Sequence, residues 1–240
     1  MRVPRACNPR IQKRILKRFG VYSKVYPEET TPSRIVPEHI ERPKYIGLTD
    51  TSVVPDKSEI KNVDQIRGMQ MSCKLASNIL QTLGQYIQVF YKGYHGDCSK
   101  TFLVGDAVDD RGLQLVRVTE ECLGVAIKGC GPGVPFSEIG NKIYRHAKKH
   151  GLTVIPSVLG HGIGQYFHGP PEIHHTKNKY PGVMKPGMTF TIEPAITHGS
   201  VYTVLQEDGW TLLSEDGSRC AQAEHTILIN EDGAEILTKY

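Results

Sequence analysis

Three segments of this chain that pattern as β-strands each carry an acidic side chain in their interior. They are His95-Gly-Asp97, Thr191-Ile-Glu-Pro194 and Ala223-Glu-His-Thr226. Burying an unpaired charge is costly, so an acid in mid-strand has to be partnered, protonated or bound to a metal. Asp97, Glu193 and Glu224 therefore limit the folds open to the chain more than any other feature. Gly160-His-Gly-Ile-Gly164 adds one imidazole, His161, held between glycines. Three carboxylates and one imidazole suit Mn, Fe, Co or Zn, and the lack of a thiolate argues against a structural zinc site. The competing reading, exposed carboxylates at strand ends, stays open here, because spacing alone does not bring the groups together.

The surrounding pattern mixes helices and strands. Ile66, Met69, Cys73, Leu75, Ala76, Ile79, Leu80 and Leu83 recur at three- and four-residue intervals and predict a helix over 62–83. Residues 85–104 predict a hairpin turning at Lys92-Gly93. A second helix is expected over 109–130, and Gly131-Pro-Gly-Val-Pro135 breaks it. Ser137 is expected to cap a third helix ending near His150. Beyond Gly151 strands are expected at 153–159, 188–197, 201–206, 210–214, 221–230 and 234–238. Early interleaving followed by antiparallel strands predicts an α+β fold.

Charge and composition organise the N-terminus. Arg2, Arg5, Arg10, Lys13, Arg14, Lys17, Arg18 and Lys24 precede the first acid, Glu28. Of 29 basic and 25 acidic residues, 21 basic ones lie beyond this leader, so the body is net −4 although the chain is +4. An acid-free basic leader with Ile11, Ile15 and Leu16 among the charges is the pattern of a mitochondrial transit peptide. A basic arm for nucleic acid or the ribosome is the alternative. Residues 25–60 carry Pro27, Pro32, Pro37, Pro43 and Pro55 and read as a linker. The six scattered cysteines include no C-x-x-C pair and read as reduced, packed thiols, which fits the mitochondrial matrix, with the cytoplasm as the alternative. No apolar run is long enough to span a membrane.

Five runs, taken in order and including those patches, carry a resemblance. They are Tyr91-Lys-Gly-Tyr-His-Gly-Asp97 with Thr101-Phe-Leu-Val-Gly105, Gly160 to His168 with Pro171-Glu-Ile173, Lys185 to Pro194, Asp208-Gly-Trp-Thr211, and Ser218 to Thr226. With intervals of 64, 32 and 31 residues between Asp97, His161, Glu193 and Glu224, residues 61–240 resemble a type 1 methionine aminopeptidase of peptidase family M24, most like the animal mitochondrial form. The resemblance implies the pita-bread α+β fold, two pseudo-symmetric halves around a dinuclear site. It implies that Asp97 and Glu224 bridge two cations, that His161 is the imidazole ligand, and that Glu193 is both ligand and general base. His168 resembles the histidine that stabilises the tetrahedral intermediate. Phe167 and Trp210 resemble residues of the methionine pocket. His95 and His225 are expected to pack around the site, and His174-His175 to lie on an exposed loop. The expected substrate is the N-terminal methionine of nascent polypeptides, bound by a monomer that contacts neither DNA nor membrane and reaches the ribosome, if at all, through its leader.

The chain also departs from that family. The family places a further aspartate eleven residues before the bridging one, and here that position is Tyr86. A phenol cannot replace a bidentate carboxylate. Between the helix at 62–83 and the hairpin, the family carries a further helix, a substrate loop and a strand with a catalytic histidine, none of which appears here. The N-terminal half is expected to be incomplete, the site to hold one cation where the family holds two, and turnover to be impaired. A non-catalytic peptide- or protein-binding module is the alternative.

Overall fold

The computed structural model describes residues 35–43, 45–46, 54–83, 87–207, 209 and 211–239. The leader at 1–24, Tyr86 and Trp210 lie outside the described residues, as does half of the proline-rich segment.

Helix α1, Val63–Leu83, opens on a capping box. Asn62 accepts from the Gln65 N–H at 3.0 Å, and the Gln65 side chain accepts from the Asn62 N–H at 2.9 Å. Met69, Cys73, Ala76 and Leu80 form its fully buried stripe. Strands β1, Ile87–Tyr91, and β2, Tyr94–Lys100, form the expected hairpin. Its two-residue turn has positive φ at Lys92 (50°) and Gly93 (84°), the geometry that matches strand twist. The strand expected to reach Val104 stops at Lys100. Beyond it the Thr101 hydroxyl takes over the pairing, accepting from Gln222 N–H and donating to its carbonyl.

Helix α2, Asp110–Ile127, is capped by Asp109, which accepts from Gly112 N–H at 2.8 Å. Helix α3, Ser137–Lys149, starts at the expected cap and is capped one residue earlier: Phe136 is the N-cap, with no side-chain cap bond. Its ring is buried edge-on against Phe190, and that burial sets the helix entry in place of a Ser137 hydroxyl. Strands β3 (Thr153–Val154), β4 (Gly160–Gly162), β5 (Gly169–Ile173), β6 (Thr189–Ile192), β7 (Ala195–Thr197), β8 (Thr203–Leu205), β9 (Leu212–Ser214), β10 (Cys220–Ile229) and β11 (Ala234–Ile236) complete the order. The strand expected over 153–159 ends before Pro156, which has no N–H to pair. The one expected over 188–197 is two strands, interrupted at Glu193-Pro194.

The main sheet runs β1-β2-β10-β6-β4-β5, antiparallel throughout, with β11 and β7 on β10 and β3 on β7. The ten-residue β10 is its spine. Helices α2 and α3 cover it with one large core, including Leu115, Cys122, Ile139, Ile143, Phe190 and Ile227. Helix α1 packs against the hairpin through one small cluster, Ala76, Leu80, Val89 and Cys98, and against Ile163, Leu228 and Leu237 through another. The N-terminal half is thus the thinner one. Among the described residues, no helix is long and apolar enough to cross a membrane.

The chain entering α1 is pinned by a buried cation. Lys61 is 1% exposed at its side chain and pairs with Glu59 at 2.8 Å, while its N–H donates to Gly187 O. Burial lowers its pKa and Glu59 opposes that shift. Glu59→Gln is expected to destabilise the fold by about 1–2 kcal/mol, since it leaves the buried ammonium with the neutral Tyr166 hydroxyl at 3.4 Å and no counter-charge. Urea unfolding reads this directly, and an unchanged midpoint would disprove the pin.

Candidate metal centre

Four neighbouring strands each contribute one group to a common point. Asp97 lies on β2, Glu224 on β10, Glu193 directly after β6, and His161 on β4. Register aligns them. Glu224 pairs with Ser99 and His225 with Ile192, so Glu193 follows opposite Glu224. His161 N–H donates to Thr191 Oγ1 at 3.0 Å. The strands meet this closely because glycines flank the ligands. A Cβ at Gly160 would strike the Thr191 carbonyl, and one at Gly162 the Pro170 carbonyl. One at Gly96 would sit 2.7 Å from the Ser72 backbone of α1.

The distances are those of a shared ligand sphere. His161 Nε2 is 3.7 Å from Asp97 Oδ2 and 3.6 Å from Glu193 Oε1. Donor atoms of Asp97, His161 and Glu224 lie within 4.8 Å of one another. Such separations leave room for a cation about 2.1 Å from each donor. His161 Nδ1 faces the Gly162 carbonyl at 3.2 Å. In the tautomer that satisfies this bond, the Nε2 lone pair faces the acids. Burial, then the neighbouring charge of His168, lowers the His161 pKa to about 4, so the imidazole is neutral and available at neutral pH.

Burial and mutual repulsion both favour the protonated form of the acids. Burial, then the charge of Asp97, raises Glu193 to about 8, against hydrogen bonds from Thr191 (2.9 Å) and Gln222 (3.2 Å). Glu224 is fully buried, and burial, then Glu193 and Asp97, push it well above the carboxylate range; Ser99 pulls the other way. Neither Glu224 oxygen has a hydrogen bond of full geometry. Buried acids, one of them short of donors, facing a neutral imidazole fit a hard or borderline divalent cation.

The remaining predicted residues that the structure describes sit around this point. The Phe167 ring is 4.0 Å from that of His168 and 5.3 Å from that of His161; His168 meets His161 edge-on at 4.3 Å. His95 is buried among Phe90, Phe167 and Tyr45. Tyr45 belongs to the proline-rich segment, and its hydroxyl is 2.9 Å from His95 Nε2. His225 meets Thr238. The expectation that His174-His175 is an exposed loop is half wrong. His174 pairs with Glu172, but His175 is 1% exposed. Its Nδ1–H donates to Val158 O at 2.9 Å and its Nε2 accepts from Glu193 N–H at 3.1 Å, so it holds Glu193 by the backbone. The usable signal was alternation: Pro171, Ile173 and His175 are buried, Glu172 and His174 are not. Gln222 was also missed. A cleft of about 520 Å³ reaches Glu193 and Gln222 between Ile155, Val158, Ala195 and Leu212.

Comparison with known proteins follows the same lines. The profile of metallopeptidase family M24 matches residues 86–231. The chain is 37% identical to mitochondrial methionine aminopeptidase 1D of mouse, covering 91% of this chain and 84% of that protein, and equally to the human protein. That alignment spans 285 positions against a chain of 240 residues, so the relative carries at least 45 residues within it that have no counterpart here. Among solved structures, methionine aminopeptidase from Thermotoga maritima superposes with a TM-score of 0.69 at 31% identity, covering 76% of this chain and all of that one. The enzyme from Rickettsia prowazekii gives 0.71 at 26% identity, with the same coverage. A prolidase from Pyrococcus furiosus, at 19% identity and a TM-score of 0.60, shares the fold. The architecture is the pita-bread fold.

Proposed function

The chain belongs to metallopeptidase family M24 and, within it, to the methionine aminopeptidases, the hydrolases that remove N-terminal initiator methionine; from that premise we propose that this form works on one divalent cation rather than two, and slowly. The observation that carries the reading is the convergence of Asp97, His161, Glu193 and Glu224 from four adjacent strands. These four residues would hold Mn, Co, Fe or Zn. Bound there, a cation supplies an acidified water and a Lewis acid for the scissile carbonyl.

The chain's own groups divide the remaining work. Glu193, ionised when the site is loaded, would take a proton from the attacking water and return it to the leaving amine. Thr191, Gln222 and the backbone bond to His175 hold its carboxylate in place. His168, whose pKa burial lowers, donates a hydrogen bond to the developing oxyanion. Phe167 and Trp210 receive the methionine side chain, and the cleft beside Glu193 admits the peptide. Tyr86, at the position of a lost carboxylate, supports the single-cation reading. The matrix as compartment, a monomeric state and ribosome contact through the basic leader complete the proposal.

Hydrolysis of a Met-Ala-Ser peptide with added Mn or Co tests it. We expect slow release of methionine and one tight cation per chain by elemental analysis. His168→Ala is expected to lower kcat about a hundredfold with metal content unchanged. Two tight equivalents would overturn the single-cation site. The missing internal residues favour a second reading, a non-catalytic module gripping peptide N-termini; peptide binding with no hydrolysis under any metal would establish it.

A further inference from the structure

The helical layer carries a second group of donor atoms, on elements that supply none of the four residues above. His146 lies in the last turn of α3 and His150 is the residue that caps its C-terminus, four positions on, and the two rings come side by side. Glu121 of α2 faces them. Its Oε2 is 2.8 Å from His146 Nε2 and 3.9 Å from His150 Nε2, and the three donor atoms lie within 4.8 Å of one another. The rings are 4.9 Å apart. The side chains are 22%, 24% and 35% exposed, so each is walled on one side and open to water on the other.

Several details go beyond a surface ion pair. Arg117 holds the other carboxylate oxygen at 2.6 Å, which orients the group and leaves Oε2 to the histidines. His146 alone satisfies Oε2 by a hydrogen bond. His150 is aimed at the same oxygen from beyond hydrogen-bond range, an arrangement a cation between the three would complete. The helices beneath are already locked, with Cys122 of α2 packed against the Ile143 backbone of α3. We propose that Glu121, His146 and His150 form a separate site for a borderline divalent transition metal of the Zn(II), Ni(II) or Cu(II) class, which clips α2 to α3. Two imidazoles and one carboxylate with positions left for water are the donor set such ions prefer, and they disfavour Mg(II) and Ca(II), which seek oxygen alone. Arg117 and the neighbouring Arg145, Lys148 and Lys149 oppose a cation, so the site binds reversibly and not as a permanent structural centre.

Zinc chloride titrated into the full chain tests this. The unmodified chain is expected to bind one zinc more than the His146→Gln, His150→Gln double variant, counted by elemental analysis after gel filtration. Its thermal midpoint should rise by roughly 5–10 °C more than the variant's at a hundredfold excess of zinc over Kd. Glu121→Gln, which alters a different helix, should reproduce the loss and guards against misfolding of the double variant. Repeating the comparison in a Glu224→Gln chain keeps the strand-borne site out of the count. Equal zinc stoichiometry and equal midpoint shifts in all these chains would overturn the proposal.

Discussion

Glu224→Gln is expected to stabilise the metal-free protein while removing its tight cation binding. Glu224 is fully buried, and two other acids crowd it. Gln has the same shape without the charge. Its amide can donate towards Asp97, and its carbonyl can accept from Ser99, the buried cross-strand neighbour that already acts on Glu224. At neutral pH the folded, metal-free chain has to keep Glu224 protonated, and Gln removes that cost, a stabilisation of about 1–4 kcal/mol. The same change removes an anionic ligand, so affinity for Mn should fall about a hundredfold or more, and turnover with it. Urea unfolding in EDTA and calorimetric Mn titration read the two halves separately. A less stable variant in EDTA would mean that the Glu224 carboxyl is well satisfied in the native protein.

The metal-free protein should also be most stable near pH 6.5 and lose stability on both sides. On the alkaline side the buried acids act. Glu193 holds its proton to about pH 8 when folded, against 4.5 as its ordinary value. Above 4.5 the unfolded chain releases this proton and the folded chain does not, so stability falls as pH rises until the folded pKa is passed. Between pH 6.5 and 8 the loss from Glu193 is roughly 2 kcal/mol, and Glu224 adds to it in the same direction. On the acid side the buried histidines act. Burial lowers His95, His161, His175 and His225 to about 4, so below 6.5 the unfolded chain gains protons first and stability falls with pH. Saturating Mn should abolish the alkaline loss, because the cation holds the carboxylates ionised. A stability that rises from pH 6.5 to 8 in EDTA would contradict the buried acidic cluster.

Much of the centre was legible because an ionised side chain in mid-strand is a chemical anomaly. Asp97, Glu193 and Glu224 announced themselves in this way. The caps of α1 and α2 were equally readable, since Asn62 with Gln65, and Asp109, are local devices. What escaped depended on tertiary contact. Strands β4 and β5 are Gly-His-Gly and Gly-Pro-Pro-Glu-Ile, with little strand propensity of their own, and they pair only because their neighbours fix them. Phe136 displaced Ser137 as a cap because its ring found a buried partner. His175 was hidden in a polar His-His pair whose two members face opposite ways. Tyr45 came from a segment whose composition promised only a linker, and no local pattern tied it to His95.

The glycines flanking His161 divide the centre into two grades of tolerance. A ligand such as Glu224 can be exchanged for a neutral isostere with no new atom to accommodate, so chemistry can be lost by one substitution while the architecture stands. A single methyl group at Gly160 or Gly162 would drive neighbouring strands apart and take the architecture with it. Catalytic decline in a chain like this one therefore proceeds through its donors long before its frame, and an intact frame is no measure of remaining turnover.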